Sequence, residues 1–374
     1  MNDPESIKKF GAAIQRLIQR NDLTREECHE LFREILLGHQ PDLQQGAFLA
    51  ALVAKGETAE EIAGAWQAID EIDTVHTRDE WPDSDPVVEN SGTGMDRLKT
   101  FNASSAAAII AAACGVRIGR HGARALTSSC GAIDILEAMG IDVECGVDVV
   151  EKSILEAGIG IFNGMSPLVH PQALGRILSQ IRFGSTLNIA ASLANPCRPT
   201  RGVRGVYSDT LVPKVVSAMR EIGYRRAIVV HGFAPDGGPG MDEISPIGPT
   251  LVTELDESGQ TSSYTLVPED FGLSRVSYED IRPTGNLGDE SVRFIQVVAG
   301  RGSQACRDFV CLNAAAILRV AGIESDWTNA FELARQALES RAGLDKLRLW
   351  AHCQNASGKG PGIFEELASR AGCS

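Results

Sequence analysis

The stretch from Asn90 to Gly140, NSGTGMDRLKTFNASSAAAIIAAACGVRIGRHGARALTSSCGAIDILEAMG, governs how the rest of the chain is read. Glycine turns alternate in it with hydroxyl and amide side chains and with two helix-like runs of mostly small residues. Gly92-Thr93-Gly94 follows VVENS, which reads as a strand end. Glycines at such a turn accept positive φ and let a ligand approach the backbone. Asn102 or Ser104 can cap the next helix, whose Ala/Ile body runs to Gly115. Amides and hydroxyls grouped at a helix start form a ready anion site. A well-capped helix after a tight turn is the plainer alternative, and a bare G-x-G does not choose between them.

The same logic recurs at the second turn. Arg120, His121 and Arg124 stand before Ser128 and Ser129 and the helix GAIDILEAMG. Two cations and two hydroxyls beside a helix start suit a phosphate or diphosphate; alternatively, both arginines pair with surface carboxylates and His121 is a satisfied loop histidine. A third element, HGFAPDGGPGMDEIS, sets Asp242-Glu243 on a Gly-rich loop after the apolar run AIVV. Adjacent carboxylates on a loop pack poorly. They are good oxygen ligands for Mg2+, which takes one or two carboxylates together with substrate phosphates. A solvated acidic loop is the alternative.

Composition bounds these readings. The chain has 374 residues, 43% of them hydrophobic, 22% charged and 5% aromatic, as in an ordinary globular protein. Its net charge of -14 argues against nucleic acid as a partner, because that binding rests on neutralising phosphates with Lys and Arg. The nine cysteines include no C-x-x-C pair, so zinc has no support from spacing and reduced thiols are expected. MNDPESIKKF has no apolar core of a signal peptide, and AAAIIAAACGV is too short to span a bilayer. A cytoplasmic protein with no membrane partner is expected.

Outward from the opening stretch the grammar changes. The first eighty or so residues read as a helical bundle. Asp3-Pro4 fits an N-cap and N1 proline; Thr24–Glu27 and Thr58–Glu61 are capping boxes, and Gly38 and Gly56 fit helix ends. WPDSDP, 81–86, reads as a linker. Beyond Val87, VRIG, GIGIFNG and RAIVVHG read as short strands between helices, and TLVTELDESGQTSSYTLV as a hairpin about Asp256–Gln260. Alternating strands and helices predict a mainly parallel sheet covered by helices. The segment from His170 to Asn195 is again helical in pattern and is expected to fold back onto the bundle.

Taken in order, these motifs resemble the anthranilate phosphoribosyltransferase family, over nearly the whole length. SGTGMDRLKTFNASSAAA is similar to its diphosphate loop, G-T-G-G-D followed by N-x-S-T. RHGARALTSSCGAIDILEAMG is similar to K-H-G-N-R-x-x-S-S-x-x-G-S-A-D-x-L-E-x-L-G, and LTREE, KGETAEEIAG, GMDEIS, PEDFGL and RDFVCLNAAAIL match in order. The resemblance implies an α/β fold: a small α-helical N-terminal domain, a larger α/β domain with a mainly parallel central sheet, and a cleft between them. It places the helical domain at 1–82, joined by about 168–195, and the α/β domain at 83–167 and 196–374. It implies a homodimer, and a reaction in the tryptophan pathway in which phosphoribosyl diphosphate (PRPP) gives its phosphoribosyl group to an aromatic amine, releasing diphosphate.

Residue by residue, the resemblance implies that Gly92, Gly94, Asp96, Asn102, Ser104 and Arg120 hold the phosphates and their metals. Thr93, Thr100, Ala103, Ser105, His121, Gly122, Ser128 and Ser129 fall in the same substrate site. Asp242 and Glu243, with Ser104, would bind Mg2+. Departures from the family pattern cluster on the acceptor side. Met95 replaces a glycine of the diphosphate loop and Arg120 a lysine, while Ala123 replaces the asparagine near anthranilate. The arginine expected to grip the acceptor carboxylate is displaced: GRILSQIRFGSTLNIAASLANP offers Arg176 and Arg182 at shifted places. A donor site kept with an altered acceptor site leaves open a different aromatic or heterocyclic nitrogen acceptor. A nucleoside phosphorylase would not need the diphosphate loop with Asp242-Glu243. A dinucleotide enzyme lacks its G-x-G-x-x-G, and a non-enzymatic binding protein of this fold is the remaining alternative.

Overall fold

The computed structural model describes residues 4–78, 80–94, 97–124, 131–235 and 237–373. The chain begins with four helices, α1 (Pro4–Ile18), α2 (Arg25–Leu36), α3 (Asp42–Lys55) and α4 (Ala59–Ile72). Capping boxes at Thr24/Glu27 and Thr58/Glu61 start α2 and α4, each satisfying two otherwise orphaned amides. Their apolar faces meet around Phe10, Phe32, Phe48 and Leu52. Later residues complete that core: Leu174 and Ile177 of α8 (Leu174–Ile181) and Leu187 of α9 (Thr186–Leu193) are buried in it. Asp73, just past α4, fixes the return. Its carboxylate accepts from the amides of Ala173 and Leu174 at 3.2 and 2.9 Å, at the start of α8.

Between the two helical pieces lie β1 (Val87–Gly92), α5 (Ala103–Ala113), β2 (Arg117–Gly122), α6 (Ala132–Ala138), α7 (Val147–Ala157) and β3 (Ile159–Asn163). β4 (Arg201–Gly205), α10 (Val212–Glu221), β5 (Arg226–Gly232) and the hairpin β6 (Thr250–Leu255) and β7 (Thr261–Leu266) follow, and further helices close the chain. The seven strands form one sheet, ordered β3-β2-β1-β4-β5-β6-β7. The first five are parallel and the hairpin is antiparallel. Alternation along the strands divides the sheet's two faces. Val88, Ile118, Ile161, Val203 and Ile228 pack with α5 and the C-terminal helices, while Ala227 and Val229 pack with α10. Seven of the eleven residues of α5 are alanine and the run from Ala106 to Ala112 is buried, which lets neighbouring backbones come close. Among the described residues no helix is long and apolar enough to cross a membrane.

This strand order positions the site. The chain walks outward from β1 through β2 to β3, then returns to place β4 on the other side of β1. Crossovers therefore leave in opposite directions at β1 and β4. The crevice beyond their carboxyl ends is where open α/β sheets bind ligands.

Candidate functional site

β1 and β4 end side by side, with Gly92 in register with Gly205. The loop after β1 is pinned across this seam: Thr93 donates its amide to the Gly205 carbonyl at 2.9 Å, and Tyr207 donates its own to the Thr93 hydroxyl at 3.3 Å. Asp242 is lodged at the same point. The Gly94 amide donates to Asp242 Oδ2 at 3.0 Å, and Gly94 holds the left-handed φ of +64°. A Cβ on Gly92 would overlap the Asp242 carboxylate, and one on Gly205 its backbone carbonyl. Both strands need glycine here because the acidic loop passes against their ends.

The acidic loop is anchored on either side of its carboxylates. Met241 forms a two-bond bridge with Gly232 at the end of β5 and is fully buried. The Ile244 amide donates to Asn313 Oδ1 at 2.9 Å, and Asn313 returns a bond to the Ile244 carbonyl. Glu243 is buried, and Thr100 Oγ1 lies 3.5 Å from its Oε2. Two adjacent carboxylates on a glycine-lined seam fit Mg2+, a hard cation that fills its other positions with water and phosphate oxygens. Among the described residues there is no cluster of three or more His, Cys, Asp or Glu that would complete a cage from protein alone.

On the α5 face, Arg120 is buried at 2% exposure. Its Nε donates to the Asn90 carbonyl at 3.1 Å and one terminal nitrogen to Ser104 Oγ at 3.4 Å. The other terminal nitrogen is buried with no hydrogen-bond partner, as are Ser105 Oγ and Asn90 Oδ1. Burial draws the Arg120 pKa down to about 10, against the opposing pull of Glu89. It remains a cation at neutral pH. Buried polar atoms normally find partners, so three orphans around the first turn of one helix mark a place for an oxygen-rich ligand. Asn102 occupies the N-cap position of α5 but makes no capping hydrogen bond through its side chain, and Ala103 begins the helix, fully buried.

His121 lies on the opposite face of β2. Its Nε2 is 2.9 Å from Nε2 of His170, whose Nδ1 is 2.5 Å from the Asp73 carbonyl. A carbonyl only accepts, so His170 Nδ1 carries a proton and His121 Nε2 supplies the one between the rings. Burial above all, then His170 and Arg204, hold His121 well below the ordinary histidine value. This pair ties the end of β2 to the helical return at Asp73.

Other candidates fall elsewhere. Arg124 is turned onto carboxylates, 2.7 Å from both Glu137 and Glu144 and 3.3 Å from Asp134, as the surface-pairing alternative has it. Gly122 ends β2 and Ala123 beyond it is exposed. Arg176 pairs with Asp42 at 3.2 Å on the surface of the helical body. Arg182 ends α8 in the left-handed region, exposed, with its Nε on the Ser179 carbonyl. Met95, Asp96, Ser128 and Ser129 lie outside the described residues.

One group escaped the sequence. Glu89 and Arg204 form an ion pair at 2.5 Å, both fully buried between β1 and β4. The Tyr224 hydroxyl and Ser91 Oγ donate to the Glu89 carboxylate at 2.9 and 3.1 Å, and Arg204 also reaches Ser91. Register puts Ser91 opposite Arg204 directly before the glycine seam. The signal in sequence was a carboxylate and an arginine, each three residues before a seam glycine or next to one, but only strand pairing relates them.

With this geometry in view, similarity to known proteins is specific. Residues 84–343 match the glycosyl transferase family a/b domain and residues 12–71 the glycosyl transferase family helical bundle domain. The chain is 38% identical over 338 residues to the anthranilate phosphoribosyltransferase of an Anaeromyxobacter species, covering 90% of this chain and 96% of that protein. The crystal structure of anthranilate phosphoribosyltransferase from Thermus thermophilus superposes with a TM-score of 0.79 at 28% identity, over 91% of this chain and 99% of that one. The Saccharomyces cerevisiae enzyme in complex with PRPP and Mg shares the fold, with a TM-score of 0.78 at 22% identity over 93% and 98%.

Proposed function

The chain belongs to the anthranilate phosphoribosyltransferase family of glycosyl transferases, and from that premise we propose that it transfers the phosphoribosyl group of PRPP to an aromatic amine. Anthranilate is the acceptor that its relatives' names imply. The observation that carries the reading is the seating of Asp242 on the Gly94 amide, which brings together a phosphate-type loop and an acidic pair 148 residues apart.

In this reading the amine nitrogen forms a bond to ribose C1 as the bond from C1 to the diphosphate oxygen breaks. The electron pair of that bond leaves with diphosphate, and the new nitrogen centre loses a proton to solvent. Arg120, Ser104 and Ser105 supply a buried cation and hydroxyls for phosphate oxygens. Asp242 and Glu243 would hold Mg2+, which when bound offsets charge building on the leaving diphosphate. Catalysis is then mainly positioning and electrostatics. The division at 1–82 with 168–195 against 83–167 with 196–374, a homodimer and a cytoplasmic setting belong to the same proposal. Calorimetric titration with PRPP, with and without Mg2+, followed by a diphosphate-release assay with anthranilate, tests it. Binding absent under both conditions would end the reading.

A further inference from the structure

The exit of the donor loop, residues 98–101, runs from the acidic pair to the start of α5 and is tied down along its length. The Leu98 amide donates to the Gly240 carbonyl at 3.3 Å, just ahead of the acidic pair. Two further ties come from α11 (Tyr278–Ile281), a single turn against the C-terminal core. The Tyr278 hydroxyl donates to the Lys99 carbonyl at 2.8 Å, and the Phe101 amide donates to the Ile281 carbonyl at 2.7 Å. One bond runs from α11 to the loop and the other runs back, so the two ends of the turn clasp Lys99, Thr100 and Phe101. The turn is itself fixed. The Asp280 carboxylate accepts from the Ser277 amide and hydroxyl at 2.9 and 2.6 Å. Arg293 of α12 (Leu287–Val298) donates to the carbonyls of Arg282 and Asp280 at 2.6 and 3.0 Å. Its guanidinium lies 5.1 Å from the centre of the Phe101 ring, which is fully buried beside Phe294. Phe101 is thus held by packing as well as by its amide, and the Tyr278 hydroxyl fixes the peptide between Lys99 and Thr100.

We propose that Tyr278 is a positioning residue: by fixing the Lys99–Thr100 peptide it sets the spacing between Asp242-Glu243 and the phosphate groups at the start of α5. The proposal rests on the phosphoribosyl-transfer reading of the cleft and deepens it. Tyr278 acts through Thr100, whose hydroxyl lies 3.5 Å from Glu243 Oε2 and 3.2 Å from the Phe101 carbonyl. Thr100 also stands close before Asn102, the N-cap of α5. Rotating this one peptide would therefore shift the acidic pair and the helix start relative to each other. A Mg2+ ion shared with substrate phosphates tolerates such a shift poorly, because it demands near-ideal octahedral oxygen geometry. The hydroxyl thus carries part of the coupling between metal and PRPP, and such coupling acts equally in both directions. The sequence holds no local mark of this role, since 179 residues separate Tyr278 from Lys99.

The test compares the unmodified full chain with Tyr278→Phe, which keeps the ring and removes the hydroxyl. Calorimetric titration of PRPP with and without Mg2+ measures the coupling. Mg2+ is expected to tighten PRPP binding to the unmodified chain. Tyr278→Phe should cut that gain about three- to tenfold, the range for loss of one hydrogen bond, and leave affinity without Mg2+ nearly as it was. In a diphosphate-release assay with anthranilate, KM for PRPP should rise by the same factor while KM for anthranilate stays unchanged. Tyr264→Phe removes a phenol hydroxyl that accepts from Trp327 on the outer hairpin, and it should change neither quantity. A merely structural role would lower the melting temperature and weaken PRPP binding equally with and without Mg2+. That outcome, an undiminished Mg2+ gain in Tyr278→Phe, or the same loss in Tyr264→Phe would each overturn the proposal, as would Mg2+ without effect on the unmodified chain. Calorimetry also separates the failures. PRPP bound by the unmodified chain with any of these outcomes refutes only the role of Tyr278, whereas no PRPP binding under either condition removes the transfer reading and this one with it.

Discussion

The two walls of the cleft are built on different principles. On the donor wall, backbone does the holding: Asp242 is received by the Gly94 amide, admitted by two glycines, and fixed by Met241 and Ile244 on either side. On the helical side, proposed as the acceptor wall, Gly184 at the start of α9 lies against the Tyr207 ring, and the nearby arginines lie exposed on the body's surface. In the proposed reading the donor wall receives a highly charged diphosphate, for which misplacement by a fraction of an ångström weakens every contact. The acceptor wall can exchange one side chain for another without moving a strand. On this difference a chain can keep most of the donor motifs of its family, Met95 and Arg120 aside, while departing around Arg176 and Arg182.

The contrast can be broken most severely at the metal pair. Asp242→Asn combined with Glu243→Gln is expected to abolish diphosphate release while the circular dichroism spectrum stays that of the native protein, and chelation of Mg2+ should reproduce the loss in the unmodified chain. Retained turnover would remove the metal from the donor wall. Next comes Glu89→Gln. It leaves Arg204 charged and buried without its carboxylate, a loss of about 3–5 kcal/mol by urea denaturation. A change under 1 kcal/mol would mean that the pair is not part of the seam's rigidity.

Smaller effects sharpen the contrast. Arg120→Ala and Ser104→Ala should each weaken PRPP binding by about 1–3 kcal/mol in calorimetry, the range for hydrogen bonds to charged groups. Wild-type affinity in both would shift the phosphate site away from α5. Last, Arg176→Ala removes an exposed ion pair with Asp42 and should change stability by less than about 1 kcal/mol and leave acceptor KM as it was. A large rise in acceptor KM would bring Arg176 into the cleft and undo the account of the acceptor wall.

Local signals carried much of this into the sequence. The capping boxes at Thr24 and Thr58, the strand Arg226–Gly232 and the hairpin turn around Asp256–Gln260 are short-range features, and each is where its residues place it. β4 was not legible. RGVRG has two glycines and two arginines in five residues, and its strand character comes from lying between β1 and β5. For the same reason the Glu89–Arg204 pair could not be seen: its partners are 115 residues apart and meet only through the sheet order, while the Gly184–Tyr207 contact needs the helical return to pack beside the loop after β4. Arg124 illustrates the reverse case, since a cation beside a phosphate-type turn was claimed by three local carboxylates.

The bond from Asp73 to the start of α8 spans about a hundred residues of chain. During synthesis, α1 to α4 therefore emerge long before the two helices that finish their core. At roughly 5–20 residues per second, that interval is about 5–20 s. Throughout it, the surface later covered by Leu174, Ile177 and Leu187 is open to water and to other nascent chains. A pause or truncation anywhere between β1 and β3 would lengthen this exposure. Solubility of ribosome-held intermediates should thus improve abruptly once α9 has left the exit tunnel, well before the sheet itself is complete.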